Sequence, residues 1–418
     1  MFGNLNKITD AIGAVSTATY NLRGFKTQMI DADAGTWVFN GDSLNELVSW
    51  TDAKNQSFGA AYDALGRMTS RTEPEGTSTW TWGNTPSAHD IGSLDSVSGY
   101  GYFESRVYDQ IGRLQTRKIT TNQDYQYDYS YNSIGAIDTI TYPTSPAPPG
   151  TTATRFKIQY GYSYSYPTQI SDITQPTAAT LWTLTAANDY ASPIIETLGA
   201  NVVSVNSGYT AWTDDLTSIQ SGMSGSTTNR QNLAYSWDTA GNLKQRQDLN
   251  QGNLTEVFYY DAINRLTSST LNGTQNFSAS YVNGSGVDQA GNIMNRLDVG
   301  SYTYGDASHP HGVTAAGPYT FTYDRNGNTA TRNGLSIQWA SFNLPTSLRA
   351  SIGGTTYSSS FSYGPDHQRY YQAATYSNGT EYTSYAGGLF EVVAGTVRIP
   401  RDREQGFHGM VNTDSTAT

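Results

Sequence analysis

Cysteine is absent from all 418 residues, which removes disulfides, thiolate nucleophiles, iron–sulfur clusters and every zinc site that uses sulfur. Charge is scarce too. Asp, Glu, Lys and Arg make up 14% of the chain, against roughly 25% in ordinary soluble domains. Mean hydropathy is nevertheless −0.52, so the polarity comes from uncharged Ser, Thr, Asn, Gln, Gly and Tyr. The net charge is −11 and the pI about 4.8, so no basic surplus exists to displace counterions from a phosphate backbone, and nucleic acid is not expected as a partner. No run of 18 apolar residues occurs, and the first 21 residues lack a basic start followed by a long apolar stretch. Neither a membrane span nor a Sec signal is expected. A G-x-S-x-G elbow, an H-E-x-x-H helix, a phosphate-binding P-loop and a dinucleotide fingerprint are all missing. The reading is therefore a non-enzymatic protein with no cofactor, no metal and no catalytic residue.

What is plentiful suits strands. Tyrosine occurs 31 times, and Thr, Tyr and Val fit a pleated surface where a helical protein would carry Glu and Lys. The expected class is all-β.

The turns recur at a fixed period. Asp10, Asp31, Asp52 and Glu73 follow one another at 21-residue steps in TDAIG, IDADAG, TDAKN and TEPEG. Between them Asn21, Asp42 and Asp63 keep the same step, each opening a D/N-x-x-G/N turn, with Tyr20 and Tyr62 just ahead of the outer two and Gly24 and Gly66 closing them. Asp or Asn at the first position caps its own backbone, and Gly three residues on supplies the left-handed conformation. Two turns per unit leave about six residues for each strand. The second series returns as Y-D-x-x-G-R/N-L, in YDQIGRL (Tyr108, Asp109, Gly112, Arg113), YNSIGAI (Tyr131, Asn132, Gly135), WDTAGNL (Trp237, Asp238, Gly241), YDAINRL (Tyr260, Asp261, Arg265) and YDRNGNT (Tyr323, Asp324, Gly327). Arg67 occupies the arginine position of the earlier unit, and such arginines are expected on a strand face, paired with acids across the ladder. Between about 142 and 235 the pattern blurs. There YPTSPAPPG (142–150) reads as a Pro-rich loop and SGMSGSTTN (221–229) as a Gly/Ser loop, while RFKIQYGYSYSY (155–166) reads as one strand with Phe156, Ile158, Tyr160, Tyr162, Tyr164 and Tyr166 on one face.

This ordered series resembles the YD-repeat, or Rhs (rearrangement hotspot), family, from about residue 5 to 395. FNLPTSL (342–348), FSYGPDHQRY (361–370) and YAGGLFEVV (385–393) add to the likeness. The resemblance implies tandem hairpins forming a large antiparallel sheet that spirals into a hollow shell, complete or partial. Such shells enclose a C-terminal toxin in bacterial polymorphic toxins, and related ones occur in insecticidal Tc toxins and teneurins. It further implies a shell at 1–399, a divergent tail at 400–418, and a polypeptide cargo or neighbouring shell segment as partner. A bacterial origin is expected, with secretion or surface location by a route other than a Sec signal. After YAGGLFEVV no D-P-x-G motif follows, so self-cleavage is not expected.

Other candidates are weaker. His309 and His311 in HPH could ligate a metal, but Pro310 favours a loop. IDADAG begins like a calcium loop yet lacks the later ligands and falls on the turn period. Asp214 and Asp215 are adjacent, and a strand would point them to opposite faces. The alternative function is a cell-surface adhesin or glycan-binding module, in which Trp80 and Trp82 of TSTWTWGN would stack on sugar.

Overall fold

The computed structural model describes residues 3–144, 153–223 and 225–395. Those residues form thirty-five strands, β1 to β35 in chain order, and a single short 3-10 turn at Pro86–Ala88. Every strand pairs antiparallel with the strand before and after it, from Lys7 in β1 (Lys7–Thr9) to Gly395 in β35 (Phe390–Gly395). The result is an uninterrupted meander, and β1 and β35 are its open edges. Turns that follow odd-numbered strands lie along one edge, here the upper, and turns that follow even-numbered strands along the lower. The two turn series of the sequence thus mark opposite edges of one ribbon, and the strands of the blurred stretch pair in the same chain order.

The lower turns are built as their residues dictate. In the turn after β6 (Ser57–Tyr62), the Asp63 carboxylate accepts the backbone N–H groups of Leu65 and Arg67 at 2.9 and 3.0 Å, and Gly66 at φ +74° closes the turn. Asn132, Asp238, Asp261 and Asp324 repeat the capping, and Gly24, Gly112, Gly135, Gly241 and Gly327 repeat the positive φ. Just before each turn the register slips by a bulge, as at Tyr62, Tyr108, Tyr131, Trp237, Tyr260 and Tyr323.

The bulged aromatic then reaches back one unit. Tyr62 donates its hydroxyl to the Leu47 carbonyl, Tyr131 to Leu114, Tyr260 to Leu243, and the Trp237 indole to Leu216, at 2.7–3.0 Å. Tyr20 and Tyr108 do the same to Leu5 and Leu94. The arginine completes the link in a way the sequence did not suggest. It pairs first with its own turn, Arg67 with Asp63, Arg113 with Asp109 and Arg265 with Asp261, each at 2.7 Å, and Arg265 also pairs with an acid of the next unit, Asp288, at 2.5 Å. The same guanidiniums lie 4.3–4.9 Å from the ring centroids of Trp82, Tyr131 and Tyr281 in the next unit. The aromatic hydrogen bond thus ties unit to unit, and where the motif arginine is present, at Arg67, Arg113 and Arg265, a cation–π contact adds to it. Tyr131→Phe is expected to cost about 1 kcal/mol, the net value of one hydrogen bond, read as a lower urea midpoint. An unchanged midpoint would show the staple to be idle.

The two faces of the ribbon differ. In β12 (Asp124–Tyr131), Tyr125, Tyr127, Tyr129 and Tyr131 share one face, while Asp124, Gln126, Asp128 and Ser130 share the other. Hydroxyl pairs such as Thr72 with Thr77, Thr79 with Ser98, and Ser130 with Thr139 run along the polar face. Buried apolar side chains gather in one cluster, Val97, Tyr102, Ile119, Tyr125, Tyr127, Ile140, Ile158 and Ala386, with Phe390 and Val392 against it.

Three expectations need revision. RFKIQYGYSYSY is not one strand: β14 (Arg155–Ser163) ends at a turn, β15 (Tyr166–Asp172) begins after it, and Tyr164 sits fully exposed at the tip with φ +48°. Tyr142–Thr144 belong to β13 (Ile137–Thr144) and Ser221–Met223 to β19 (Leu216–Met223), so both loops start later than read. Asp214 and Asp215 lie in a turn, where Asp214 accepts from Asn188 and Asp215 from Thr213. Residues 145–150 of the Pro-rich loop and the 400–418 tail lie outside the described residues.

Candidate functional site, the seam between successive wraps

The ribbon winds back onto itself. Hydrogen bonds link residues 259 to 301 positions apart, and they join the upper turns and adjoining strand residues near the N-terminus, such as Arg71 and Tyr127, to the lower turns and adjoining strand residues near the C-terminus, such as Tyr370 and Ala386. One wrap therefore takes about 260–300 residues, and β26 (Gly300–Thr303) to β35 sit above β1 to β12. Among the described residues no strand pairing crosses this seam; side chains at and beside the turns make it.

The acidic upper turns supply one side. His311 donates its backbone N–H to Asp33 at 2.9 Å, while its ring nitrogens lie 2.6 Å from Asp33 and 2.8 Å from Asp10. Asn326 donates to the buried Asp52 carboxylate at 2.8 Å, and Lys54 pairs with Asp324 at 3.1 Å. Ser341 gives both its backbone N–H and its hydroxyl to Glu75, at 2.7 and 2.6 Å. Glu73, buried, meets Arg71, the Tyr100 hydroxyl and His367, and Arg71 also donates to the Pro365 carbonyl. Farther along, Tyr370 donates to the Tyr100 carbonyl and Tyr127 to Ala386. Asp10, Asp52 and Glu73 of the 21-residue series are thus docking groups as well as turn residues, whereas Asp31 stays within its own wrap, accepting from Ser16, Asp33 and Ala34. Self-capping leaves one carboxylate oxygen of Asp10 and Asp52 free to reach the next wrap, as in Asp10, whose other oxygen accepts from Ile12 and Ala14.

The HPH pair is accounted for by this seam. It lies in the lower loop after β26, as Pro310 indicated, with His309 held by Asp306 and the Asp324 carbonyl. Among the described residues no group of three or more His, Asp or Glu is placed to hold a metal ion. IDADAG is a turn in which Asp31 caps Asp33 and Ala34, leaving Asp33 for His311. Trp80 and Trp82 share one face of β8 (Gly76–Trp82), half-buried, with Arg71 and Arg67 over their rings at 5.3 and 4.9 Å. A stacking sugar would have to displace those guanidiniums. The sequence located the seam residues as turns but carried no signal that they face another wrap, because the contact joins positions about 270 residues apart.

Burial alone would lower the His311 pKa, but its hydrogen bonds to Asp33 and Asp10 and their charges outweigh that and raise it. The charged groups facing it are Asp10, Asp33 and, at longer range, Asp31. A raised histidine contributes stability that is complete below its unfolded value of about 6.5 and lost as pH rises through the folded value. The urea midpoint is therefore expected to fall as pH rises above about 6.5, and that fall should shrink in His311→Ala. Equal slopes in both proteins would exclude His311 as the source.

A meandering ribbon of YD turns that closes through turn-to-turn contacts defines the class: a spiralling β-shell built from repeats. Residues 41–78 match the RHS Repeat family model, and the same turn motif recurs along the chain. No curated protein matches the sequence. Among solved structures, TcdB2–TccC3 without its hypervariable C-terminal region superposes with a TM-score of 0.72 at 14% identity, over 94% of this chain and 24% of that one. The Tc holotoxin pore of Photorhabdus luminescens gives 0.71 at 14%, over 91% and 23%. At this identity the likeness is one of fold, and the chain spans about a quarter of the length of the structures it matches.

Proposed function

We propose that this chain is a structural wall segment of an RHS-type toxin shell, which encloses or presents a polypeptide for delivery in bacterial competition or virulence. The observation that carries the reading is the seam: a ribbon that docks its lower edge on its own upper edge bounds a space, which an open sheet does not. The fold shared with Tc toxin structures supports it. The role needs no catalytic group, and its partners are a polypeptide cargo and neighbouring shell segments. Release from the cell, by a route other than a Sec signal, follows from the same reading.

Small-angle scattering with a parallel mass measurement tests it. A compact monomer of 418 residues has a radius of gyration of about 22 Å. Extrapolated to the dilute limit, where the mass is that of one chain, a value clearly above that, with the scattering minimum of a hollow body, is the expected result. A compact value would overturn the shell.

A further inference from the structure

The lower edge of the first wrap carries a feature that the seam does not use. At the tips of its turns stand Leu22, Leu44, Leu65, Ile111, Ile134 and Ile263, 61 to 94% exposed. Tyr190 and Trp212 occupy tips between them and are equally open. Isolated exposed aliphatics are ordinary, but a row of them at repeat spacing is not, because turn tips favour Asn, Asp, Ser and Gly. The row covers residues 22 to 263, close to one full wrap. It thins where the lower edge is docked: there Asn326 is buried and Phe342 stacks on His367, although Leu389 stays exposed in the turn after β34 (Gly379–Ala386). Apolar tips are thus concentrated on the part of this edge that meets no wrap among the described residues.

We infer that this rim binds the free upper rim of a second copy of the chain, so that copies stack head to tail. Three observations select that occupant. The fold's own seam is lower edge on upper edge, and the row is the continuation of that docking edge. The upper edge beyond the seam keeps Asp172, Asp248 and Asp298, the last paired with Arg296, but it also carries exposed Leu198, Val202, Leu297 and Ile352, which offer apolar surface to an apolar row. The ribbon also overlaps itself only along β26 to β35, which leaves a step at each rim, and copies stacked in the same direction bring those steps together. Side chains of this size and number offer on the order of 1,000 Å² of apolar contact, enough for a specific interface. Such a heterologous contact does not close on itself and extends with concentration.

Sedimentation of the full chain from about 1 to 100 μM reads the outcome. The expected result is a mass that rises beyond the monomer with concentration. The lower-rim variant Leu44→Asp/Leu65→Asp/Ile134→Asp and the upper-rim variant Leu297→Asp/Ile352→Asp should each remain monomeric. Their side chains are exposed, and an unchanged circular dichroism spectrum confirms that both still fold. Mixed in equal amounts, the two variants should form a dimer and nothing larger, since one intact rim of each kind remains. A wild-type chain that stays monomeric throughout would overturn the inference, as would a lower-rim variant that still associates. A mixture that yields no dimer would do the same. None of these results bears on whether the shell encloses cargo, which the scattering experiment decides.

Discussion

Glu104→Ala is expected to destabilise the protein by about 3–5 kcal/mol, among the largest effects of any single substitution in the chain. Glu104 lies in β10 (Tyr102–Tyr108) and is almost wholly buried. One carboxylate oxygen binds Arg106 at 2.8 Å, and the other binds Arg117 at 2.7 Å and the Tyr102 hydroxyl at 2.6 Å. Removing it leaves two guanidiniums and a phenol with no acceptor, in the region where the apolar cluster is densest. The cost comes from the orphaned partners more than from the lost attraction, so Glu104→Gln, which keeps an acceptor, should lose less. Burial by itself would raise the Glu104 carboxyl, but Arg117, Tyr102 and Arg106 outweigh it and hold it below the usual carboxylate range. A depressed carboxylate contributes stability above its unfolded pKa that is lost as pH falls through the folded one. Glu104→Ala should therefore also flatten the acid limb of the stability profile. A urea midpoint within experimental error of wild type would rule out the network as a support.

Gly35→Val should cost about 3 kcal/mol, because it meets two independent penalties at the seam. Gly35 has φ +70°, which a β-branched residue adopts at a cost of roughly 1–2 kcal/mol. An added Cβ would also stand 2.7 Å from Ala53 Cβ in the adjacent upper turn and 3.0 Å from the Arg325 carbonyl oxygen in the wrap above, and overpacking of this kind costs roughly 1–3 kcal/mol. Gly66→Val is the internal comparison. It has the same backbone strain, φ +74°, but its nearest neighbour is the tip of the Glu46 side chain, which can swing aside. The expected cost there is about 1–2 kcal/mol, from strain alone. If the two variants unfold at the same denaturant concentration, the seam contributes nothing at Gly35. Protease sensitivity adds a second readout: Gly35→Val should expose the lower turns near Asp324 to cleavage, and Gly66→Val should not.

The repeat was legible because its causes are local. A carboxylate that caps its own turn, a glycine or asparagine at positive φ and an aromatic before the turn all act within seven residues, so the 21-residue period announced both hairpins and strand length. What the motif arginine does was less legible. Arg113 satisfies Asp109 four residues away and Tyr131 eighteen residues away, and only the placement of neighbouring units brings those two together. The Tyr hydroxyl staple is of the same kind, since Tyr131 reaches Leu114 across a full hairpin.

The sequence by itself determined the all-β class, the YD repeat, the antiparallel meander and the separation of turns into two series. Those features follow from propensities and turn chemistry that each unit expresses alone. Only the tertiary structure decided how the series are used: Asp33 bound to His311, Asp52 to Asn326 and Glu75 to Ser341, with Leu22 to Ile263 left open on the opposite edge. The physical reason is accumulation. The twist and bend of each hairpin are small and shared by all, but summed over the wrap they set which turn arrives above which, and no stretch of the chain encodes that total locally.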